Sequence, residues 1–229
     1  MAVNGNPMST PPLRINFPWV FNKKISQDSG REYYACQIDF DKTNAIHMNF
    51  LKDFVAAVNQ VLAQQWPDEA TRPRIPIVGH ERSVVRDGDT ACKSDGTPLA
   101  EKYPELAGHY LINCTCYNST IVVVDKTMQD IIDPGEIYSG AICKANIQPY
   151  ARTRANNPGI SVQLNGLQKW EDGDRIGGAP LAASDMFSAG NAPANPFNTQ
   201  QGNAPVDPFN QQGNAPANPF NDTGDDVPF

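Results

Sequence analysis

Basic residues stop at Arg175, and this limits the part of the chain that can fold. All 18 Lys and Arg residues lie in the first 175 positions, whereas the remainder is dominated by Gly, Asn, Ala, Pro, Gln and Phe. Such a segment has too few aliphatic side chains to bury a core, so we expect 181–229 to be a disordered acidic tail. We expect one folded domain over 13–180, preceded by a flexible lead over 1–12.

Most of the excess of acidic over basic residues lies in the tail. The net charge of −7 divides into about −2 for the first 175 residues and −5 for the rest, where the charges are Asp185, Asp207, Asp222, Asp225 and Asp226. An acidic total argues against nucleic-acid binding. The division weakens that argument, because an acidic tail can mask a locally basic groove.

Composition also bears on the compartment. The longest aliphatic run, Ile121 to Val124, is far too short to span a membrane, and the polar N-terminal residues lack the apolar segment of a signal peptide. Five scattered cysteines do not suggest a disulfide framework. We therefore expect a cytoplasmic protein without a membrane partner.

Hydrophobic periodicity predicts a mainly β domain with one substantial helix. The spacing of apolar residues over Asn44–Trp66 predicts an amphipathic helix with Thr43 as its N-cap. A turn-rich stretch with a short strand covers Thr71–Tyr103, and Asn118-Ser119 is expected to turn between two paired strands. The predicted strands are Arg14–Asn22, Glu32–Phe40, His109–Tyr117, Thr120–Asp125, Ile137–Arg152 and Gly159–Trp170. This arrangement favours a compact barrel or a small α+β domain.

The segment from Ile137 to Arg154 indicates a function. One face is small and apolar, while the other carries rings, cations and amides: Tyr138, Lys144, Asn146, Gln148, Tyr150, Arg152 and Arg154. Rings stack on bases, cations bind phosphates and amides make adaptable hydrogen bonds, so this combination suits a single-stranded nucleic acid. An ordinary solvated strand face also explains the pattern.

Other rings and cations are candidates for the same surface. Near the N-terminus they are Arg14, Phe17, Trp19, Lys23, Lys24, Arg31 and Tyr33, and in the turn-rich stretch they are Arg72, Arg74, Arg82 and Arg86. Scattered basic residues are usually solvated surface charges, so about half of this set is expected to contribute.

Other clusters favour structural roles. Cys114 and Cys116, with Cys92 and His109 nearby in sequence, could form a zinc site, but the spacing is unsuited to a zinc knuckle and buried thiols are the better explanation. The Asp-Gly-Asp triplets at 87–89 and 172–174 are typical of turns. No nucleophile, phosphate-binding loop or metal motif assembles in the sequence, so we expect no catalytic residues, no metal and no cofactor.

The tail repeats one short element. Pro-Phe occurs at Pro196-Phe197, Pro208-Phe209 and Pro219-Phe220, and again at Pro228-Phe229. The last copy follows two acids and Val227. We expect Asp225, Asp226, Val227, Pro228 and Phe229 to form a docking tip whose ring enters an apolar pocket with a basic rim, the earlier copies adding weak rebinding.

Two resemblances support this reading. The tip resembles the acidic C-terminal tip of bacterial SSB proteins. The body is similar to tailed-phage single-stranded DNA-binding proteins through Ile137-Tyr-Ser-Gly-Ala-Ile-Cys-Lys-Ala-Asn-Ile147, Asn157-Pro-Gly-Ile-Ser-Val-Gln-Leu-Asn-Gly-Leu167 and the Asp172-Gly173 turn.

The phage family implies an OB-fold-like five-stranded barrel with insertions, which coats and protects single-stranded DNA without sequence preference during phage DNA replication or recombination. It also implies that the tail contacts replication proteins (a polymerase, a helicase or primase, or a nuclease) and competes with DNA for the groove, in the cytoplasm of the host cell. A homodimer is compatible with the sequence.

Two other functions remain open at the level of sequence. Asn-Pro-Phe and Asp-Pro-Phe motifs resemble ligands of endocytic adaptor domains, so an adaptor that acts through its tail is the main alternative. A metal-dependent nuclease using the Asp-Gly-Asp turns is a third.

Overall fold

The computed structural model describes residues 2–27, 29–70, 72–79, 83–92, 96–154 and 157–176. The chain divides into two units between residues 179 and 180, and the description below concerns the first. The predicted tail, its Pro-Phe repeats, the tip and Arg82 lie outside the described residues.

The described chain is mainly β with one long helix, as predicted. The strands are β1 (Met8–Ser9), β2 (Leu13–Ile25), β3 (Glu32–Asp41), β4 (Arg86–Asp87), β5 (His109–Cys116), β6 (Val122–Val124), β7 (Ile142–Arg152) and β8 (Gly159–Glu171). The helices are α1 (Ala45–Gln65) and α2 (Leu99–Lys102), with single 3-10 turns at Pro104–Leu106 and Pro134–Glu136. Among the described residues, no helix is long and apolar enough to cross a membrane.

Five strands close into a barrel in the order β2, β3, β5, β8, β7 and back to β2. The pairings are antiparallel except for β5 with β8, which are parallel. Leu13 and Arg14 of β2 pair with Cys143 and Ile142 of β7, and this contact completes the circle. The OB-fold-like five-stranded barrel is thereby confirmed, with α1 and β4 inserted between its second and third strands.

Strict alternation in β7 separates the barrel interior from its outer wall. Cys143, Ala145 and Ile147 are fully buried, while the side chains between them are partly exposed. Helix α1 packs Phe54 and Val58 into the same core. Burying each such aromatic or aliphatic side chain contributes about 1.5–3 kcal/mol, so this shared core holds the outer wall in place.

The N-cap of α1 is Asn44, not the predicted Thr43. The Asn44 Oδ1 atom accepts hydrogen bonds from the backbone N–H groups of Ile46 and His47 at 2.9 and 3.3 Å. The Thr43 hydroxyl instead donates to Asp41 Oδ1 at 2.7 Å. Both residue types cap helices well. The Thr43 side chain is not available as the cap because it is hydrogen-bonded to Asp41.

Three other local predictions were wrong. The N-terminal lead is ordered along β7, where Met8 pairs with Ile147 and the Gly5 amide donates to the carbonyl oxygen of Pro149 at 2.8 Å. Strand β6 does not pair with β5. Both strands pair in parallel with β8, β5 at Val162 and Gln163 and β6 further along, from Gly166 to Gln168. Strand β7 begins only at Ile142, since Gly140 adopts a φ of 107° that interrupts an extended chain.

The cysteines are mostly interior side chains. Cys36, Cys114, Cys116 and Cys143 are buried, and Cys92 is half-buried. Burial raises the pKa of the Cys143 thiol to about 12. The four buried thiols act as small apolar groups of the core, in line with the interpretation preferred from their spacing.

Candidate nucleic-acid interface

The outer wall of the barrel carries side-chain amides on four neighbouring strands, which we call the amide row: Gln37, Asn113, Gln163, Gln148, Asn165 and Asn146. Register places Gln37 opposite Asn113 and Gln148 opposite Gln163. Because their strand neighbours point into the core, these amides point outward. The row therefore crosses four strands, β3, β5, β8 and β7.

Hydrogen bonds within the row fix the orientation of its side chains. Gln37 Nε2 donates to Asn113 Oδ1 at 3.0 Å. Gln163 Nε2 donates to Asn165 Oδ1 at 3.2 Å, and Asn165 Nδ2 donates to Asn146 Oδ1 at 2.8 Å. Gln37 is buried at 7% exposure, whereas the other five amides are at least partly exposed and each has a second amide hydrogen for a ligand.

Beside the row lies a cluster of rings and guanidinium groups, which we call the tyrosine patch: Tyr33, Tyr117, Tyr150, Arg31 and Arg154. The Tyr33 and Tyr117 ring centroids are 5.5 Å apart with planes tilted by 34°. The Arg31 guanidinium lies over the Tyr117 ring, 4.8 Å from its centroid. Tyr150 and Arg154 are close enough to influence the ionisation of Tyr117.

The surroundings of the central ring shift its pKa further from neutral pH. Burial raises the pKa of Tyr117 above its ordinary value of 10, and the neighbouring Tyr150 and Tyr33 raise it further, while Arg154 and Arg31 act in the opposite direction. Tyr117 is therefore neutral at physiological pH. A neutral ring between cations can stack on a base without repelling the phosphates on either side.

The hairpin of β2 and β3 extends the set of paired rings and cations. Lys24 lies over the Trp19 ring with its ammonium 4.8 Å from the centroid, and Lys23 lies 5.2 Å from the centroid of Tyr34. Trp19 is 43% exposed, which is high for the largest side chain in proteins. Lys23 also approaches Glu32 at 3.9 Å.

Lys144 belongs to a second aromatic site on the same wall. Its ammonium lies 3.7 Å from the centroid of Trp170, and the Lys126 ammonium lies 4.7 Å from the same centroid. Lys144 stands opposite Gln168 of β8, so this group continues outward from the Asn146 end of the amide row.

Some predicted DNA-binding residues are engaged in the fold instead. Arg14 Nε contacts Asp39 Oδ2 at 2.7 Å, and Asp39 is 1% exposed. The Arg14 guanidinium also donates to the carbonyl oxygen of Glu105. Arg14 therefore neutralises a buried carboxylate and is not a free cation for phosphate.

Tyr138, Arg152 and Arg86 also serve local structure. Tyr138 precedes β7, and its hydroxyl donates to Asp172 and to the carbonyl oxygen of Gly173 at 3.0 and 3.1 Å. The prediction that it shares a strand face with Tyr150 was wrong. Arg152 is bound to Asn157 and Ser161 across the turn between β7 and β8. Arg86 donates to the carbonyl oxygen of Cys92 at 2.9 Å.

The two Asp-Gly-Asp turns hold cations of the protein itself. Asp87 and Asp89 each contact the Lys42 ammonium at 2.6 Å. Asp172 contacts the Lys169 ammonium at 3.0 Å. These carboxylates stabilise their own turns and form ion pairs with lysines of other segments or of the same turn.

Sequence reasoning missed Tyr117, Trp170, Lys126 and most of the amide row. Tyr117 and Trp170 stand at the ends of predicted strands, in phase with the outward positions Thr115 and Gln168, so alternation alone could have identified them. Lys126 carries no such signal, because its approach to Trp170 depends on the pairing of β6 with β8.

A closed five-stranded barrel with an amide row and a tyrosine patch on its outer wall defines the class of OB-fold-like binding proteins. Comparison with known proteins gives the family. The sequence model described as "Enterobacter phage Enc34, ssDNA-binding protein" matches residues 7–196. This is most of the chain, so the protein belongs to that phage family.

Individual relatives are distant. The chain is 22% identical over 175 residues to "Putative protein p50" of Acyrthosiphon pisum secondary endosymbiont phage 1, covering 76% of this chain and 89% of the relative. Among solved structures, it is similar to the single-stranded DNA-binding protein of bacteriophage Enc34 in complex with ssDNA, with TM-score 0.55, 16% identity, and 75% and 89% of the two chains covered. It is also similar to gp2.5, a single-stranded DNA-binding protein encoded by bacteriophage T7, with TM-score 0.51, 10% identity, and 74% and 93% covered. Structural likeness at these identities concerns the fold.

Proposed function

We propose that this protein binds single-stranded DNA without sequence preference through the tyrosine patch and the amide row. The observation that carries the proposal is the approach of Tyr33, Tyr117 and two arginines beside a row of outward amides on a closed barrel. Membership of a phage family described as ssDNA-binding supports it.

The chemistry of the surface favours unpaired bases. A ring accepts any base because every base has a π-face, and each base stack contributes on the order of 1–3 kcal/mol. In duplex DNA those faces are stacked on neighbouring bases and cannot reach a tyrosine. The amides bind varied base edges, since each offers both a donor and an acceptor.

Cations around the rings contribute to DNA affinity independently of the base sequence. Arg31 and Arg154 belong to the patch, and Lys24 stands opposite Tyr33 on the same face of the hairpin. Each phosphate contact on a single strand releases counterions, so three contacts give a slope of log K against log salt of about −2.

A titration of oligo-dT and of a matched duplex across salt concentrations tests this function. We expect binding to oligo-dT that weakens steeply and linearly on the log-log plot, and much weaker binding to the duplex. Equal affinity for the two forms would contradict the proposal, because the stacking contribution is confined to unpaired bases.

We further propose that the protein acts in phage DNA replication or recombination, and that Asp225–Phe229 recruits a replication protein such as a polymerase, helicase, primase or nuclease. The acidic tail is proposed to compete with DNA for the basic surface. The five aspartates of a tail without Lys or Arg support competition, because they would be attracted to the arginines and lysines around the tyrosine patch at low ionic strength.

Two full-length variants separate these roles of the tail. Replacing Asp225 and Asp226 with Asn should tighten binding to oligo-dT at low salt, because it removes acids that compete with phosphates. Phe229→Ala should leave DNA affinity unchanged and weaken capture of a replication protein. Weaker DNA binding by the Asn variant would contradict competition.

A further inference from the structure

A pocket on the outer wall lies beyond the tyrosine patch, between β6, β8 and β7. Its volume is about 350 Å³, within the range of small-ligand sites. One side is apolar and the other polar: the lining includes Val122, Val124, Met128, Lys144, Asn146 and Asn165. The pocket thus begins at the Asn146 end of the amide row.

The apolar side is unusually exposed. Val122 is 59% exposed and Met128 is 72% exposed. Strand β6 is short, and Val122 faces the position of Gly166 on β8, where an added Cβ would lie 2.9 Å from the Val122 carbonyl oxygen. The absent side chain at Gly166 therefore lets the β6 backbone lie close against β8 at the edge of the pocket.

Met128 is held over this pocket in a strained conformation. Its φ is 67°, the left-handed region that side chains other than glycine rarely adopt. The turn is fixed by Asp125 Oδ1, which accepts from the Thr127 and Gln129 amides at 2.7 and 3.0 Å. Gln168 Nε2 donates to the Met128 thioether at 3.3 Å. Strain of this kind persists where the surroundings enforce it, and it is concentrated at binding sites.

Lys144 lines the pocket, and Lys126 lies near it over the same aromatic ring. The ammonium groups of Lys126 and Lys144 both lie over Trp170, at 4.7 and 3.7 Å from its centroid. The polar side offers donors, since Asn146 Nδ2 and Asn165 Nδ2 each use one hydrogen within the protein, toward Ser9 Oγ and Asn146 Oδ1. A thioether, two donors and two cations match one nucleotide: a flat base, its edge and the adjoining phosphates.

We propose that this pocket holds a base of the bound DNA strand, stacked on Met128 with its edge at Asn146 and Asn165 and with flanking phosphates at Lys126 and Lys144. The inference rests on the proposed function and extends it. Tyr150 and Lys144 are six residues apart on β7, about 20 Å, so one strand spanning several nucleotides occupies both the tyrosine patch and the pocket.

The test compares full-length variants on oligo-dT of increasing length, from about 4 to about 16 nucleotides. Met128→Gly removes the thioether and relieves the left-handed strain, so its thermal stability is expected to be retained or raised. Lys126→Gln removes one positive charge near the pocket. Lys52→Gln removes an exposed charge from α1, outside the pocket, and serves as the matched control.

The expected result depends on length. Met128→Gly should lose about fivefold or more in affinity for the long oligonucleotides and nothing for the shortest. Lys126→Gln should reduce the magnitude of the salt slope by about 0.7 on the long ones, and Lys52→Gln should leave it unchanged.

Three outcomes would overturn the assignment. One is unchanged affinity of both variants at every length. Another is an equal loss at every length. The third is tighter binding by Met128→Gly, which would mean that the pocket holds a competitor of DNA, such as the acidic tail tip. Absence of binding by the unsubstituted protein at all lengths would instead contradict the proposed function itself.

Discussion

At the scale of single residues, the account depends most on Tyr117, the ring at the centre of the tyrosine patch. Tyr117→Leu should weaken oligo-dT binding by about 1–3 kcal/mol, because one base loses its stacking partner. Tyr117→Phe keeps the ring and should retain most of the affinity. Fluorescence anisotropy with a labelled oligonucleotide measures both. Equal losses for Leu and Phe would show that the hydroxyl, not the ring, makes the contact.

Two arginines should differ in what they support. Arg14→Ala leaves the buried Asp39 carboxylate without its cation and should cost about 3–5 kcal/mol of unfolding free energy. Arg154→Ala removes an exposed charge and should change stability by less than about 0.5 kcal/mol while weakening DNA binding. Urea unfolding and oligo-dT titration of both variants check this. A stable Arg14→Ala variant would refute the structural role of that ion pair.

Sequence reasoning identified four of the five patch residues, all except Tyr117, and also included residues that the fold employs elsewhere. Tyr33 and Tyr150 lie in strands where alternation fixes the side on which a ring stands. Arg14 lies in a strand as well, but alternation does not reveal that Asp39 is buried across the pair of strands. Whether a cation is free depends on partners that are distant in sequence, and periodicity carries no information about them.

At the scale of secondary-structure elements, the start of α1 provides a direct comparison. Asn44→Ala should cost about 1 kcal/mol of unfolding free energy, since it leaves the amides of Ile46 and His47 without their acceptor. Thr43→Ala should cost less, because its hydroxyl bonds only to the exposed side of Asp41. Thermal or urea unfolding of the two variants measures both losses. A greater loss of unfolding free energy for Thr43→Ala than for Asn44→Ala would contradict Asn44 as the N-cap.

The turn after β6 should respond to acid. Hydrogen bonds from the backbone of Gln129 and from Thr127 lower the pKa of Asp125 below its ordinary value of 3.8. A lowered pKa in the folded state means that the stabilisation is fully present above pH 3.8 and is lost as the pH falls through the lower folded value. NMR shifts of the Thr127 and Gln129 amides during an acid titration follow this loss. Amide shifts that move only well above pH 4 would contradict it.

Most strands were predictable because each follows its own alternation, and the single long helix follows its own spacing. The pairing of β6 was not predictable, since a two-residue turn after β5 is typical of a hairpin and nothing local signals that β8 has a vacant edge. The ordered N-terminal lead was missed for a related reason. Its pairing with β7 buries few side chains of its own and relies on backbone hydrogen bonds.

At the scale of the whole molecule, the barrel positions chemistry that no single strand holds. The amide row crosses four strands, the tyrosine patch joins β3, β5 and β7, and the pocket lined by Val122 and Lys144 requires the pairing of β6 with β8. Because the interior is closed and filled by buried side chains, the strands that carry these groups are held in place by a packed core. Preorganised rings lose little conformational entropy on binding, which favours affinity.

The central claim is that bases of a single strand stack on the tyrosine patch, and photo-crosslinking measures this contact directly. An oligo-dT substituted with 5-iodouracil would be irradiated with the full-length protein, and the crosslinked residues would be identified by peptide mass spectrometry. The account predicts crosslinks at Tyr33, Tyr117 and Tyr150. Crosslinks confined to residues outside the outer wall, such as those of α1, would contradict it.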